Sequence, residues 1–404
     1  MVDHPAVAVA DAPSGTIPGA RVRPRRLLTI GHSYCVRRNR ELADAMASAG
    51  SGDWQVTVAA PAAFPGDLGP VVTRREPSDQ CELRTVPVRM ASRIHVMTYR
   101  RGLRALLDEP WDVVHCWEEP YVLAAAQIAR GVGGRAMLVY SSFQNIDKRY
   151  PWPFSALERY SMRRAAGWIA FGRSVEAALA GRSGYADRAH VVIPFGVDPS
   201  RFSPNAGDAR ELKRHLGWAA DGPPVVGFLG RFIEAKGLPL LLRALDDLHG
   251  RGIPWRALFV GGGSWEPNLH AFAARHPGLV HVVTGVSHDE VPAYLRAMDV
   301  LCAPSQTTPG WREQFGRMIV EAFACGTPVI SSDSGELPHV VGDAGVVVDE
   351  RSPAGWTAAL ERVLSDPAMR QSLGARGRAR AEGEFAWSVV GRRHLEFFHR
   401  LLDA

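Results

Sequence analysis

At 404 residues, 46% hydrophobic and 22% charged, the chain is too long for one ordinary core. Two domains of about 150–200 residues are expected. No apolar run reaches the ~20 residues that cross a bilayer. Five scattered cysteines (Cys35, Cys81, Cys116, Cys302, Cys325) form no C-x-x-C and read as buried free thiols of a reducing, cytoplasmic protein. The net charge of +5 is unevenly shared: through Gly196 there are 25 basic and 18 acidic residues, a net of +7, and beyond it 22 and 24, a net of −2.

In chain order, residues 1–20 are polar and Pro/Ala/Gly-rich and read as a disordered tail, not a signal peptide. Strand-like runs follow at Arg26–Gly31, Trp54–Ala60, Glu82–Val88, Asp112–Trp117, Ala136–Ser142, Gly167–Gly172 and His190–Pro194. A segment with three prolines and a glycine, Pro194 to Pro204, suits a hinge. The second half repeats the pattern at Pro224–Gly230, Ala257–Gly261, Val280–Gly285, Asp299–Pro304, Pro328–Ser332 and Gly345–Val348. Helix-like stretches fall between, among them Arg38–Ala49, Pro239–His249, Val291–Ala297 and Met318–Cys325. Apolar strands with helical crossovers predict parallel sheets covered on both faces. The expectation is an α/β protein with two doubly wound domains, residues 21–195 and 196–385. The amphipathic 386–404 would form a helix crossing back onto the first domain.

Lysine occurs at only three positions, and one, Lys236, lies in Gly230-Arg231-Phe232-Ile233-Glu234-Ala235-Lys236-Gly237, between a strand and a helix. Arginine forks onto two oxygens, whereas lysine is a compact point charge suited to one phosphate. Ligands of open α/β sheets bind beyond the carboxyl ends of strands, where Arg231 and Lys236 stand. Eighty residues on, Glu313-Gln314-Phe315-Gly316 leads into a helix that carries Glu321. One carboxylate stands in the loop, the other on the helix wall among apolar neighbours, and a carboxylate there needs a partner. Gly316 lets a ligand approach the backbone at a helix start. Two cations for a diphosphate and two carboxylates for sugar hydroxyls suit a nucleotide-sugar. Gly261 ends a strand and serves either a nucleotide or a plain turn; Ser334-Gly335-Glu336 serves either a sugar or a turn. In the first half, Gly31 ends the first strand, a weak phosphate-loop signal. Glu118 and Glu119 end another and are candidates to meet an acceptor hydroxyl, with Ser141, Ser142, Gln144 and Asn145 near them. His115 reads as a core residue. No Asp-x-Asp, G-x-x-x-x-G-K-[ST], G-x-G-x-x-G or G-x-S-x-G occurs, and histidines and cysteines lack zinc spacing.

Residues 230–237, Asp299–Ser305 (DVLCAPS), Glu313–Ala324 (EQFGRMIVEAFA), Gly326–Ile330 and Ser334–Gly342 (SGELPHVVG) together resemble the donor domain of retaining GT-B glycosyltransferases of family 4. The resemblance implies a GT-B fold and sugar transfer from a nucleotide-sugar with retention, with no metal or other cofactor. By the same resemblance Arg231 and Lys236 bind the diphosphate, Glu321 the ribose and Glu313 the transferred sugar, with Phe315 and Gly316 approaching sugar and phosphate. Two departures stand out. The stretch His115-Cys116-Trp117-Glu118-Glu119-Pro120 has glutamate where many members have a histidine, and a double glycine after the first strand is reduced to Gly31.

The basic first half is expected to hold the acceptor: a saccharide, a lipid-linked sugar or a small molecule. Its arginine-rich stretches Arg93–Leu107 and Leu157–Arg164 suit either anionic lipid headgroups or solvent. No nucleic-acid motif appears. The alternatives are a GT-B nucleotide-sugar epimerase and a non-catalytic GT-B nucleotide-binding subunit.

Overall fold

The computed structural model describes residues 23–66, 69–219 and 221–404; the expected N-terminal tail lies outside them. Two parallel sheets dominate. The first contains β1 (Arg25–Ile30), β2 (Trp54–Pro61), β3 (Glu82–Val86), β4 (Val113–Cys116), β5 (Met137–Ser142), β6 (Gly167–Ala170) and β7 (Ala189–Val192), in the order β7-β6-β5-β4-β1-β2-β3. The second contains β8 (Val225–Arg231), β9 (Arg256–Gly262), β10 (Val280–Thr284), β11 (Val300–Ala303), β12 (Val329–Ser332) and β13 (Val346–Val348), in the order β10-β9-β8-β11-β12-β13. Every anticipated run is a strand. Two short antiparallel hairpins, Ala63–Gly66 with Gly69–Val72 and Val88–Arg89 with Thr98–Tyr99, were not anticipated.

The near-continuous apolar runs have a physical reason: each sheet is buried on both faces. In the first sheet Leu28, Ile30, Val114 and Tyr140 fill one layer, while Leu27, Val58, Val113 and Ile169 fill the other. In the second, Val225, Leu258 and Leu301 oppose Val226, Phe259 and Cys302. The five cysteines are buried and free.

The helices that matter for the cleft are α1 (Arg37–Ala49), α2 (Arg173–Leu179), α3 (Leu238–Gly250), α4 (Arg317–Ala324) and α5 (Trp387–Leu402). The last follows the second sheet in sequence but packs on the first. Val390, Phe397, Phe398 and Leu401 join the layer of Leu27 and Ile169. Each such side chain contributes about 1.5–3 kcal/mol when fully buried. Gly391 lets α5 approach α1 closely, since a Cβ there would lie 2.5 Å from the Ala45 carbonyl. The two chain crossings are bonded side by side: Val197 N–H donates to Phe385 O (2.8 Å) and Trp387 N–H to Val197 O (3.0 Å).

Strand order reverses between β1 and β4 in the first sheet and between β8 and β11 in the second. Such reversals open a crevice at the strand carboxyl ends, where ligands of doubly wound sheets bind. The two crevices face one another across the interdomain cleft.

Candidate active site between the domains

At the second sheet's crevice, β8 ends on Gly230 and Arg231. Arg231 is exposed, and among the described residues its side chain has no hydrogen-bond or ion-pair partner. A short turn (Glu234–Lys236) then leads to Gly237, whose φ of +73° and close approach (a Cβ would lie 1.7 Å from Pro304 O) admit only glycine. That approach ties the Lys236 turn to the residue after β11. Pro239 follows in the first turn of α3, where its missing N–H costs nothing. The Lys236 ammonium meets the Glu313 carboxylate, which also accepts from Ser305 Oγ (2.8 Å).

Glu313 stands in the loop before α4. Its carbonyl accepts from Glu336 N–H (3.0 Å) and, from the first domain, Asn145 Nδ2 (2.9 Å). Phe315 is buried between Phe195 and Phe385, and Gly316, at φ +79°, caps α4. Glu321 lies on α4, buried, with the Arg38 guanidinium of the first domain on its carboxylate and His288 Nε2 at 3.9 Å. Burial pushes its carboxyl up, against the pull of Arg38 and Arg317.

The remaining glycine and turn candidates resolve unevenly. A Cβ on Gly261 would lie 1.8 Å from Gly230 O, so this glycine serves strand packing. Gly262 beside it would meet nothing within 4 Å. The Ser334-Gly335-Glu336 segment is a structural turn. Gly335 (φ +59°) lies against the Glu313 backbone, and the Glu336 carboxylate accepts from Arg173 and Ser174 N–H (2.8 and 2.7 Å) at the start of α2 in the other domain.

On the first sheet's crevice the two acceptor-side carboxylates already have partners within their own domain. Glu119 accepts from Ser142 Oγ (2.6 Å) and Phe143 N–H (2.7 Å), and burial pushes its carboxyl up to about 7. Glu118 accepts from His32 N–H (2.7 Å) and Tyr99 Oη (2.9 Å) and pairs with His32 Nδ1 (2.7 Å). Both carboxylates point inward, so neither offers a free oxygen to an acceptor. Ser141, Gln144 and Asn145 are also engaged, with His115, Ile146 O and Glu313 O respectively. What the crevice presents is His32. Burial works to lower its imidazole, but the charge and hydrogen bond of Glu118 outweigh it and raise the group. Gly31 is extended (φ −179°), and its need is steric: a Cβ would lie 2.7 Å from Trp117 O. His115 is a core residue, bonded to Thr29 and Ser141. Arg38 escaped the sequence reading, which gave His32 no role beside Gly31 and took Glu336 only as part of a sugar contact or a turn. Only the position of His32 after a strand-ending glycine was a signal.

Two family models match the chain: Glycosyltransferase Family 4 over residues 36–201 and Glycosyl transferases group 1 over residues 210–380. The chain belongs to the family 4, group 1 glycosyltransferases. Among curated relatives, 2-deoxystreptamine glucosyltransferase of Streptomyces kanamyceticus is 33% identical over 57% of this chain and 60% of its own length. D-inositol 3-phosphate glycosyltransferase of Kineococcus radiotolerans is 36% identical over 53% of this chain and 52% of its own. The chain thus spans about half the length of the curated relatives it matches. Among solved structures, sucrose-phosphate synthase from Thermosynechococcus elongatus superposes with a TM-score of 0.70 at 22% identity, covering 94% of this chain and 99% of that one. A glycosyltransferase from Rickettsia africae gives 0.74 at 16%, covering 94% and 99%. At these identities the likeness concerns the fold, which is GT-B.

Proposed function

We propose that this protein transfers a sugar from a nucleotide-sugar to an acceptor hydroxyl with retention of anomeric configuration. The observation that carries the reading is the Lys236–Glu313 pair at the β8/β11 crevice, with Arg231 unpartnered beside it. A donor lying from Glu321 (ribose) to Glu313 (transferred sugar) would set its diphosphate between, within reach of Arg231 and Lys236. The acceptor hydroxyl approaches the anomeric carbon on the face the diphosphate leaves. The new C–O bond forms as the bond to phosphate breaks, and the hydroxyl proton passes to the departing phosphate oxygen. Charge grows on that phosphate, and the two cations oppose it without a metal ion.

The relatives are named for acting on 2-deoxystreptamine, D-inositol 3-phosphate and phosphatidylinositol monomannosides. We take a hydroxyl-rich ring, free or lipid-linked, as the acceptor class. Among the described residues no helix is long and apolar enough to cross a membrane. A groove of ≈ 980 Å³ lined by Arg89, Arg100, Arg101, Arg104 and Arg130 supports peripheral contact with anionic lipid, as does Trp152, exposed beside the basic helix Phe154–Arg164. Absence of flotation with anionic liposomes at low salt would remove that part of the reading.

Calorimetry with UDP-, GDP-, ADP- and dTDP-sugars tests the whole. One donor binds the parent and is lost in Lys236→Ala and Glu321→Ala. No binding by any nucleotide-sugar overturns the proposal.

A further inference from the structure

We propose that Arg38 of the first domain is a donor-binding residue, which leaves Glu321 for the nucleotide's diphosphate when the ribose takes the carboxylate. The inference rests on the nucleotide-sugar reading of the cleft.

Glu321 and the incoming ribose diol compete for the same bonds. A buried carboxylate accepts only a few hydrogen bonds, and here Arg38 holds one oxygen already. Arg38 lies in the first turn of α1, which enters the cleft from the β1 crevice. Its side chain is 28% exposed.

The charges around it say where it must go. Arg201, Arg317 and His288 face the same carboxylate, and two further acids stand nearby: Glu41, and Asp289, which pairs with Arg201 (2.6 Å). Arg317 Nη2 reaches across the cleft to Asn39 Oδ1 (3.3 Å). Burial, with Arg38 next, pushes the Arg317 guanidinium down to about 10, and burial with the same three arginines pushes His288 down to about 3. His288 is therefore neutral at pH 7, and the three guanidiniums face three carboxylates, Glu321, Glu41 and Asp289, the last held by Arg201. When a diol occupies Glu321, Arg38 loses its counter-charge but keeps the repulsion of Arg317. The nearest new anion is the diphosphate, one ribose away. Guanidinium–phosphate pairs are bidentate and strong. Because Arg38 and Glu321 belong to different domains, this exchange keeps the domains drawn together as the donor enters.

The consequence is a pair of shifts of opposite sign. In Arg38→Met the ribose no longer competes with a guanidinium, but the diphosphate loses one. Binding of UDP, GDP, ADP and dTDP is measured by calorimetry, and that of their nucleosides by ligand-observed NMR. For the base that binds, we expect the diphosphate to weaken by about 10- to 100-fold, the range for a charge-assisted contact, and the nucleoside to tighten severalfold. Arg38→Lys, which keeps a cation, should retain part of the diphosphate affinity, and unchanged far-UV circular dichroism excludes misfolding. Shifts of the same sign, or no shift, overturn the assignment while leaving the nucleotide reading intact. If neither parent nor variants bind any nucleotide, the proposed function fails and takes this assignment with it.

Discussion

The two domains are bridged by a contact that can be broken from either side. The Glu336 carboxylate, 3% exposed, crosses from the second domain and accepts the Arg173 and Ser174 amides. A hydrogen bond to a charged group contributes about 1.5–3 kcal/mol, and an open cleft would return the carboxylate to water. We therefore expect Glu336→Ala to cost closure about 2–3 kcal/mol, shifting the closed-to-open ratio by about 30- to 150-fold. Gly172→Ala should act equally from the other domain. Its backbone is extended (φ −173°), which alanine adopts freely, but the new Cβ would lie 2.4 Å from Glu336 Cδ. Closure is not lost entirely, because Arg38–Glu321, Asn145 to Glu313 O and Gln314 to Phe143 O also bridge the domains. Small-angle scattering reads the effect as an increased radius of gyration in both variants, reversed by the donor. If both variants scatter like the parent, the contact does not govern closure and the reasoning is wrong.

Three further outcomes are expected. Lys236→Met strands the Glu313 carboxylate, 7% exposed, and should destabilise the protein by about 3–5 kcal/mol; Lys236→Met/Glu313→Gln should recover most of that in urea melts but not donor binding. Glu119, raised to about 7 by burial, favours its protonated form in the folded state. Its contribution is full below the unfolded value near 4.5, is lost as pH rises through 7, and amounts to about 3 kcal/mol. Glu119→Gln should therefore gain on the parent by that amount between pH 4.5 and 8; parallel melts across the range would refute the assignment. Gly237→Ala should displace the Lys236 turn, since its Cβ would lie 1.7 Å from Pro304 O, and donor affinity should fall with the second sheet still folded by circular dichroism.

The fold was legible because its information is local. A strand buried on both faces must be apolar throughout, so runs such as Val225-Val226-Gly227-Phe228 announce themselves, and the crossovers between them carry helical period. The short hairpins were missed because one carries the proline and glycine of a turn in both its strands (Ala63–Gly66 and Gly69–Val72) and the other has only two residues per strand. Donor-side candidates were legible for a similar reason. Lys236 and Gly237 lie within one turn of a strand end, and Glu313 lies eight residues from Glu321, so loop and helix geometry nearly determine their placement.

The acceptor side was not legible, because its chemistry depends on pairings across long sequence distances. Glu118 and Glu119 look alike as neighbours at a strand end, yet Glu118 takes the imidazole of His32 and the hydroxyl of Tyr99, while Glu119 takes the next strand's Ser142 and Phe143. Both lie beyond the end of β4, outside the strand's alternation, so which partner each meets is set by the neighbouring loops. The same logic hid Arg38 and Glu336, whose partners lie 283 and about 160 positions away. The β1/β4 reversal brings His32 to Glu118, and the β8/β11 reversal brings Lys236 to Glu313. Only the facing of the two crevices sets Arg38 on Glu321. In a cleft assembled this way both carboxylates are already engaged, Glu313 by its own domain and Glu321 by the opposite one. On the proposed reading, a donor would exchange partners at both carboxylates, and only the exchange at Glu321 would be read by the other domain.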